Sequence, residues 1–418
     1  MNRGFLSAFF EGVAVKRLSK VDADRKSSNQ REVGDSNDGQ SLKPILGNEP
    51  RTKPNNNRFN TTYIWLNAEQ ESITEYGLLS WYDTRRKRKS RDPEWRAYYQ
   101  RNAVTEIMSE GDTLFLALKK DGSLLFIVVP DGNEQISRMH WLFGLEEQQS
   151  LDFLHREYNR SEKGEIDFIA RFLLDEIGIE YEDPNANTLD SIIARYKLKF
   201  PTTREFSALA RNTLPEVDAV GYPDLALISW LNHEEAMFRR MEKKIVSRRI
   251  QEGFIFDGEA DVDAFIKFSL SVQNRRKSRM GYSLENHLSA LFDIHEISFS
   301  AQVKTEKGKK PDYIFPNSDN YFDPSFDTKR LTMLAAKSSC KDRWSQVLPE
   351  AERIKQKHLL TLEPAIAEPT TDTMRASSLQ LIVPKEIQRT YKKTQQEWLW
   401  NVEDFLNMVK ERQRQARV

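Results

Sequence analysis

An acidic residue and a lysine, each beside a short apolar run, form the strongest chemical pattern in this sequence. Asp312 follows Pro311 and opens one run, Tyr313–Phe315. A second run, Met333–Ala336, ends on Lys337. Such runs predict two buried strands. Hydrolysis of a phosphodiester can use this pair, because a carboxylate holds Mg²⁺ and a nearby ammonium stabilises charge or orients the attacking water.

Glu350 is the candidate for a second carboxylate at the same site. It lies thirteen residues after Lys337, in a segment whose apolar residues have helical spacing. A helix there would turn Glu350 toward a metal held by Asp312. For Asp312 the alternative is a carboxylate that only caps the start of a strand, and for Lys337 it is a surface lysine at a strand end. Both residue types recur by chance in a chain of this length.

Four motifs resemble the catalytic domain of EcoRII-type restriction endonucleases. They are Asn274–Arg279, Ser283–Glu285, Lys310–Asp312 and Lys337–Trp344, in the family's order and at similar spacing. The likeness extends from about Lys199 to about Pro384. It implies an α/β domain of the restriction-endonuclease-like PD-(D/E)xK type, with a central mixed sheet and Mg²⁺ as cofactor. The implied activity is that of a type II-like site-specific deoxyribonuclease in a restriction system, a form of phage defence.

The resemblance also implies roles for single residues. Asp312 and Glu350 match metal ligands, and Lys337 and Lys341 match active-site lysines. Ala335 stands where a generic PD-(D/E)xK search expects an acid. The family departs in the same way and takes its acid from the following helix, so this departure supports the match.

Two further family positions concern the metal and the DNA bases. Glu285 matches an acidic position near the site, with a second metal ion or a supporting contact as its role; an exposed helix glutamate is the alternative. The triplet Lys341, Asp342 and Arg343 matches residues that read adjacent C·G pairs. Asp342 can accept from cytosine N4, and Arg343 can donate to guanine O6 and N7. A solvated helix start is the alternative.

Two basic stretches are predicted to bind DNA. Arg275, Arg276 and Arg279 match the family's basic run and are expected to contact the DNA backbone or a dimer neighbour. The second stretch consists of Arg85, Arg86, Lys87, Arg88, Lys89, Ser90 and Arg91, followed by interleaved aromatic residues. Six cations in seven residues are typical of a phosphate-contacting loop. A solvated charged loop is the alternative.

Composition limits the class of protein. The chain has 418 residues, 39% of them hydrophobic and 30% charged, and a formal net charge of +0. The chain has no overall excess of basic residues that would indicate nucleic-acid binding, so a DNA site must come from local clusters of Lys and Arg. The single cysteine, Cys340, excludes an internal disulfide framework. No apolar run approaches a membrane span. Met1–Val15 is a short apolar segment whose helical spacing predicts a helix, and it lacks the cleavage pattern of a signal peptide. A cytoplasmic protein without membrane contact is therefore expected.

The sequence predicts two domains and a connection. Residues 1–150 are predicted as a DNA-binding or effector domain, 151–197 as a helical linker, and 198–418 as the endonuclease domain. Three candidate strands, Thr62–Leu66, Thr113–Leu118 and Leu124–Val129, make the first domain mainly β. Lys16–Ser19 resembles the start of the EcoRII amino-terminal DNA-binding domain, which implies a B3-like pseudobarrel.

The main functional hypothesis is a Mg²⁺-dependent endonuclease that cuts double-stranded DNA at a short C/G-containing site. Cutting both strands needs two active sites, so a C₂ homodimer is expected. The first domain would read DNA sequence or a modified cytosine. The alternatives are a methylcytosine-requiring endonuclease, a catalytically silent DNA-binding regulator, and a nuclease of RNA or branched DNA. The presence of Asp312, Lys337 and Glu350 argues against the silent regulator.

Removing the cations of Arg85–Arg91 is expected to weaken DNA binding and to flatten its dependence on salt. Each phosphate contact that is lost reduces the slope of log K against log salt by about 0.9. Fluorescence anisotropy at several salt concentrations measures that slope. An unchanged slope would mean that the run is only a solvated loop.

Overall fold

The structure is a computed structural model that describes residues 4–23, 31–35, 40–47, 57–68, 70–85, 90–147, 151–158, 168–180, 186–197 and 199–414. It divides into two compact units, Met1–Glu180 and Tyr181–Val418. Among the described helices, none is long and apolar enough to cross a membrane.

The first unit is built on an eight-stranded sheet. Its strands are β1 (Phe10–Arg17), β2 (Glu32–Gly34), β3 (Asn57–Trp65), β4 (Ile73–Asp83), β5 (Trp95–Tyr99), β6 (Thr113–Lys119), β7 (Leu124–Val129) and β8 (Leu154–Glu157). Their order is β2-β5-β4-β3-β7-β6-β1-β8. Only β3 and β7 pair in parallel. The unit is mainly β, as predicted, whereas the pseudobarrel stays a prediction.

Short helices accompany this sheet. They are a 3₁₀ helix at Gly4–Ala8 and the α-helices α1 (Lys20–Ala23), α2 (Lys43–Leu46), α3 (Ala103–Ile107), α4 (Gln135–Phe143) and α5 (Phe168–Glu176). Strands β6 and β7, two of the predicted strands, form a hairpin in which Gly122 takes a left-handed φ of 81° at the turn. Glycine adopts this conformation without steric cost.

Two predictions for the first unit are wrong. Met1–Val15, with its helical spacing, contains most of β1, whose Val13 and Ala14 are fully buried. A strand covered on both faces has a nearly continuous apolar run, which periodicity does not separate from a buried helix. The predicted helical linker 151–197 begins with β8, which pairs antiparallel with β1 and so belongs to the sheet.

The second unit surrounds a five-stranded sheet. Its helices are α6 (Ala186–Ile193), α7 (Thr203–Asn212), α8 (Pro223–Glu252), α9 (Val262–Ile294), α10 (Ser318–Phe322), α11 (Glu368–Ala376), α12 (Lys385–Gln388), α13 (Lys393–Gln396) and α14 (Val402–Arg414). Further 3₁₀ helices span Ala194–Tyr196, Glu306–Gly308, Thr328–Arg330 and Lys341–Val347.

The strands of this unit confirm the predicted mixed sheet. A small hairpin of β9 (Ile255–Phe256) and β10 (Glu259–Ala260) joins α8 to α9; the sheet itself contains β11 (Ser300–Ala301), β12 (Tyr313–Phe315), β13 (Thr332–Lys337), β14 (Lys357–Thr361) and β15 (Leu379–Ile382). They lie side by side in chain order. The pairs β11–β12 and β12–β13 are antiparallel, and β13–β14 and β14–β15 are parallel.

An aromatic cluster fixes α9 on this sheet. Phe292 of α9 is fully buried, and its ring lies edge-on to those of Tyr313 and Phe315 at centroid distances of 5.0 and 5.1 Å. Phe405, on helix α14, also packs against Phe292 and Phe315. Edge-to-face pairs add stability beyond the burial of their area. The cluster therefore sets where the preceding turns of α9, with Glu285, lie relative to β12.

Asp224, in the first turn of α8, ties together segments that are far apart in sequence. Its buried carboxylate accepts hydrogen bonds from the backbone N–H groups of Lys385 (3.0 Å), Val402 (2.9 Å) and Glu403 (3.0 Å). It therefore caps the first turns of both α12 and α14. Buried N–H groups at helix starts need such acceptors.

Asp224→Ala is expected to lower the free energy of unfolding by on the order of 3 kcal/mol, because one buried and two partly buried backbone donors lose their acceptor. Urea unfolding followed by circular dichroism measures the change. Glu403→Ala is the control: this exposed side chain neighbours the same cap, and its removal should cost less than about 0.5 kcal/mol. Equal effects of the two substitutions would contradict the capping role.

Candidate active site

Asp312 and Lys337 come together at the ends of two paired strands. Asp312 immediately precedes β12, Lys337 is the last residue of β13, and antiparallel pairing places Tyr313 opposite Leu334. Lys337 Nζ lies 2.8 Å from Asp312 Oδ2, and the Ala336 N–H donates to the same oxygen at 2.8 Å. Asp312 is buried, whereas the Lys337 side chain is 37% exposed. The ammonium therefore reaches both the carboxylate and solvent.

Glu350 lies beyond the end of a short helix. The helix predicted through this segment is shorter, because the 3₁₀ helix ends at Val347 and Ala351 takes a left-handed φ of 49°. Glu350 Oε2 is buried and has no hydrogen-bond partner among the residues that the structure describes. Burial raises the pKa of Glu350 to about 7; the Lys337 charge opposes this shift, and the Asp312 charge adds to it.

Glu285 is linked to Asp312 by a residue that the sequence did not single out. Gln302 Nε2 donates to Asp312 Oδ1 at 3.0 Å and to Glu285 Oε2 at 3.2 Å. Burial and the Asp312 charge raise the pKa of Glu285 above its usual value. The Tyr313 hydroxyl donates to the Glu285 carbonyl at 2.6 Å, which fixes this turn of α9. Nothing in the sequence pattern marks Gln302, because its partners are distant in the chain.

The carboxylates are chemically suited to a divalent cation. Among the described residues, no three His, Cys, Asp or Glu side chains are close enough to form a complete metal cage. Glu350 nevertheless keeps a buried oxygen without a donor, which is costly unless a cation or a proton satisfies it. Oxygen donors of this kind are the ligands that Mg²⁺ prefers. Asp312 and Glu350 thus fit the ion, with Glu285 beside them.

The basic-acidic-basic triplet Lys341–Arg343 forms the start of the 3₁₀ helix Lys341–Val347. The side chains of Lys341 and Asp342 lie outside what the structure describes. Arg343 is exposed. The buried Glu363 accepts a 2.7 Å hydrogen bond from the Cys340 N–H, which fixes the approach to the triplet.

One arginine of the basic run on α9 is turned inward. Arg279 is buried; its guanidinium lies 3.1 Å from Glu234 Oε1 and also pairs with Glu235, both on α8. Arg276 lies 2.6 Å from Glu242, and Arg275 lies over the ring of Phe200. The prediction that Arg279 contacts DNA is therefore corrected. This arginine holds α9 against α8, since a buried charge needs a paired partner.

The basic stretch of the first unit is described only in part. Arg86, Lys87 and Arg88 lie outside the described residues. Arg85 pairs with Glu94 at 3.0 Å. The aromatic residues that follow form β5 rather than a loop, with Trp95 and Tyr99 buried in the core.

The other face of β5 borders a polar cleft of about 420 Å³. It is lined by Glu32, Tyr82, Thr84, Glu94, Arg96 and Tyr98. The rings of Tyr82 and Tyr98 stack with centroids 4.8 Å apart. Arg96 pairs with Glu94 at 2.7 Å. This face therefore combines aromatic surface with carboxylates and a guanidinium.

Comparison with known proteins finds a family similar to the part of the chain that contains this site. Residues 238–406 match the sequence model of the family described as EcoRII C terminal. The type II restriction enzyme EcoRII of Escherichia coli is 39% identical over 202 residues, which cover 47% of this chain and 47% of that enzyme. The predicted resemblance is confirmed for the C-terminal part, and the match spans about half the length of that relative.

Two solved structures overlap more loosely. Metal-depleted Ecl18kI in complex with uncleaved, modified DNA is 20% identical, with a TM-score of 0.45, and covers 56% of this chain and 86% of that chain. A restriction endonuclease PspGI–substrate DNA complex is 15% identical, with a TM-score of 0.41, and covers 51% of this chain and 93% of that chain. Both TM-scores are too low to carry an argument.

Glu350→Gln is expected to raise the melting temperature of the metal-free protein by a few degrees at pH 8 and to leave it nearly unchanged at pH 4. The folded-state pKa of about 7 lies above the usual glutamate value of 4.5, so the folded state binds more protons between these pH values. The protein therefore loses stability as pH rises through this window, and glutamine, which does not titrate, avoids the loss. Thermal unfolding across pH measures it.

Glu352→Gln is the matched control for this measurement, since its side chain is 44% exposed and lies two residues away. It should leave the pH dependence as it is in the parent protein. If Glu350→Gln also kept the parent's pH dependence, the buried, proton-binding state of Glu350 would be wrong.

Proposed function

We propose that this protein is a Mg²⁺-dependent endonuclease of a restriction system, which hydrolyses phosphodiesters of double-stranded DNA at a short C/G-containing site. The observation that carries this proposal is the 2.8 Å contact between Lys337 and Asp312 beside the orphaned oxygen of Glu350. These residues lie inside the segment that matches the EcoRII C-terminal family. That combination supports hydrolytic chemistry on DNA more than it supports a structural ion pair.

The chain's own groups have separable roles in this mechanism. Asp312 and Glu350 would hold the cation, and Glu285 would support them or take part in a second site. When bound, Mg²⁺ supplies Lewis-acid stabilisation of the phosphate and lowers the pKa of a bound water. Lys337, which is partly exposed, presents its ammonium to the scissile phosphate or the attacking water. Lys341 is proposed to contact phosphate as a further active-site lysine.

Sequence recognition in the catalytic unit is proposed for the triplet Lys341, Asp342 and Arg343. The exposure of Arg343 supports this role, because a guanidinium must reach guanine O6 and N7 in the major groove. Asp342 would accept from cytosine N4. Arg275 and Arg276 remain candidates for backbone or partner contacts.

Two further parts of the proposal concern assembly and the first unit. Cleavage of both strands needs two catalytic units, so we propose a C₂ homodimer. The first unit, Met1–Glu180, is proposed to be a B3-like reader of DNA sequence or of a modified cytosine, and the endonuclease domain is proposed for residues 198–418 of the second unit. The cleft that combines Tyr82 and Tyr98 with Arg96 supports the assignment of the first unit.

Lys337→Ala and Asp312→Ala are expected to slow cleavage by on the order of 10²–10³-fold or more while DNA binding is retained. Lys337→Ala removes an ammonium from the reacting phosphate, and Asp312→Ala removes a ligand of the cation that would stabilise the phosphate's charge. Supercoiled-plasmid cleavage with Mg²⁺ measures activity, and fluorescence anisotropy measures binding. Lys329→Ala, an exposed lysine in the 3₁₀ helix before β13, is the control and should cleave normally. Full activity in either site variant would rule out this active site.

The same assay on matched unmodified and cytosine-methylated plasmids separates the alternatives. Discrete fragments from unmodified DNA would support a sequence-specific restriction enzyme. Cleavage of methylated DNA alone would assign a modified-base sensor to the first unit. Binding without cleavage of either plasmid would favour a catalytically silent regulator.

A further inference from the structure

Lys357 is a buried lysine behind the segment that bears Glu350. It is the first residue of β14 and only 5% exposed. Its Nζ donates to three backbone carbonyl oxygens: those of Glu350 at 2.5 Å, Ala351 at 2.8 Å and Ile354 at 2.5 Å. An ammonium has three donors, and here all three point into one turn of the chain.

This turn has a conformation that needs outside support. Ala351 has a φ of 49°, in the left-handed region that a residue with a Cβ disfavours. The turn has few internal backbone hydrogen bonds: the N–H of Glu350 donates to Val347, and the N–H of Ile354 donates to Ala351. Among the described residues, the carbonyls of Glu350 and Ile354 have no hydrogen-bond donor other than the lysine, and the carbonyl of Ala351 has only the Ile354 N–H besides it. Lys357 thus stabilises a turn that its own sequence does not favour.

The lysine connects this turn to the sheet that carries Lys337. β14 lies between β13 and β15, in parallel register with both. The Lys357 N–H donates to the Ser378 carbonyl at 3.0 Å, so the backbone beneath the side chain is fixed. The distance between Glu350 and the strand of Lys337 is therefore set through the Lys357 side chain.

We propose that Lys357 is a positioning residue for Glu350: by binding three carbonyls of the Glu350–Ile354 turn, it holds this carboxylate where it can share a cation with Asp312. The inference rests on the proposed function for the role of Glu350 as a metal ligand. Lys357 itself points into the turn and does not touch the substrate or the reacting atoms.

Lys357→Met is expected to weaken Mn²⁺ binding by about tenfold, because residues that orient metal ligands typically contribute 10–100-fold to affinity. Methionine keeps an unbranched side chain and loses the three donors. Mn²⁺ titration of the full-length protein without DNA, followed by electron paramagnetic resonance, measures affinity independently of cleavage. Lys355→Met, an exposed lysine two residues away, is the matched control and should bind Mn²⁺ as the parent does.

A double-mutant cycle tests whether Lys357 acts through Glu350. In a Glu350→Gln background, Lys357→Met should change Mn²⁺ affinity by less than about twofold, because the ligand it positions is already gone. Effects that multiply independently would overturn the proposal. So would unchanged Mn²⁺ affinity in Lys357→Met accompanied only by a lower melting temperature, since this result would give the lysine a purely structural role.

Two further measurements keep the outcomes distinct. Lys357→Arg retains charge and donors and should bind Mn²⁺ more tightly than Lys357→Met. It also replaces Lys357→Met if that variant does not fold. In that case the proposal would be contradicted if Lys357→Arg bound Mn²⁺ as tightly as Lys355→Met does and its affinity no longer depended on Glu350. If Glu350→Gln alone leaves Mn²⁺ affinity unchanged, the metal role of Glu350 in the proposed function fails. If Glu350→Gln weakens binding but Lys357→Met does not, only the positioning role fails.

Discussion

Repulsion among carboxylates is the constraint that shapes the catalytic end of this molecule. Asp312, Glu285 and Glu350 all lie where burial weakens the screening of their charges. Lys337 and Gln302 donate to the two oxygens of Asp312, and burial favours the protonated forms of the other two acids. A cation of the kind proposed for this site would replace protons and hydrogen-bond donors. Its binding would therefore be coupled to pH.

The groups that meet at this site are held with unequal rigidity. Asp312 and Lys337 adjoin paired strands, so their contact follows from backbone register. Glu285 is on a long helix that the Phe292 cluster fixes against β12. Glu350 alone comes from an irregular turn. Sites built on regular elements hold their geometry more closely than sites built on loops, so the turn is where extra hydrogen bonds have the greatest effect. This contrast explains why the three hydrogen bonds of the buried Lys357 matter for the position of Glu350.

The sequence predicted those parts of the site that depend on local pattern. The strands next to Asp312 and Lys337 are short apolar runs with clear ends, and their pairing brings the two residues together. The conformation of Glu350 was missed because helical spacing of apolar residues continues past the point where the chain turns. The burial of Arg279 was missed for another reason. Its partner Glu234 lies 45 residues earlier on a different helix, and no local pattern shows such a pair.

β5 shows why a pattern can be seen correctly and still be interpreted wrongly. The alternation from Trp95 to Tyr99 is typical of a strand with one core face, yet the preceding cations favoured a DNA-contacting loop. In the folded chain Trp95 and Tyr99 are buried in the core, where they cannot contact a ligand. Arg96 and Tyr98 lie on the outer face. There Arg96 is balanced by Glu32 and Glu94. A balanced face offers little attraction to phosphate, so the cleft itself does not supply the phosphate contacts that the reader role proposed for this unit needs.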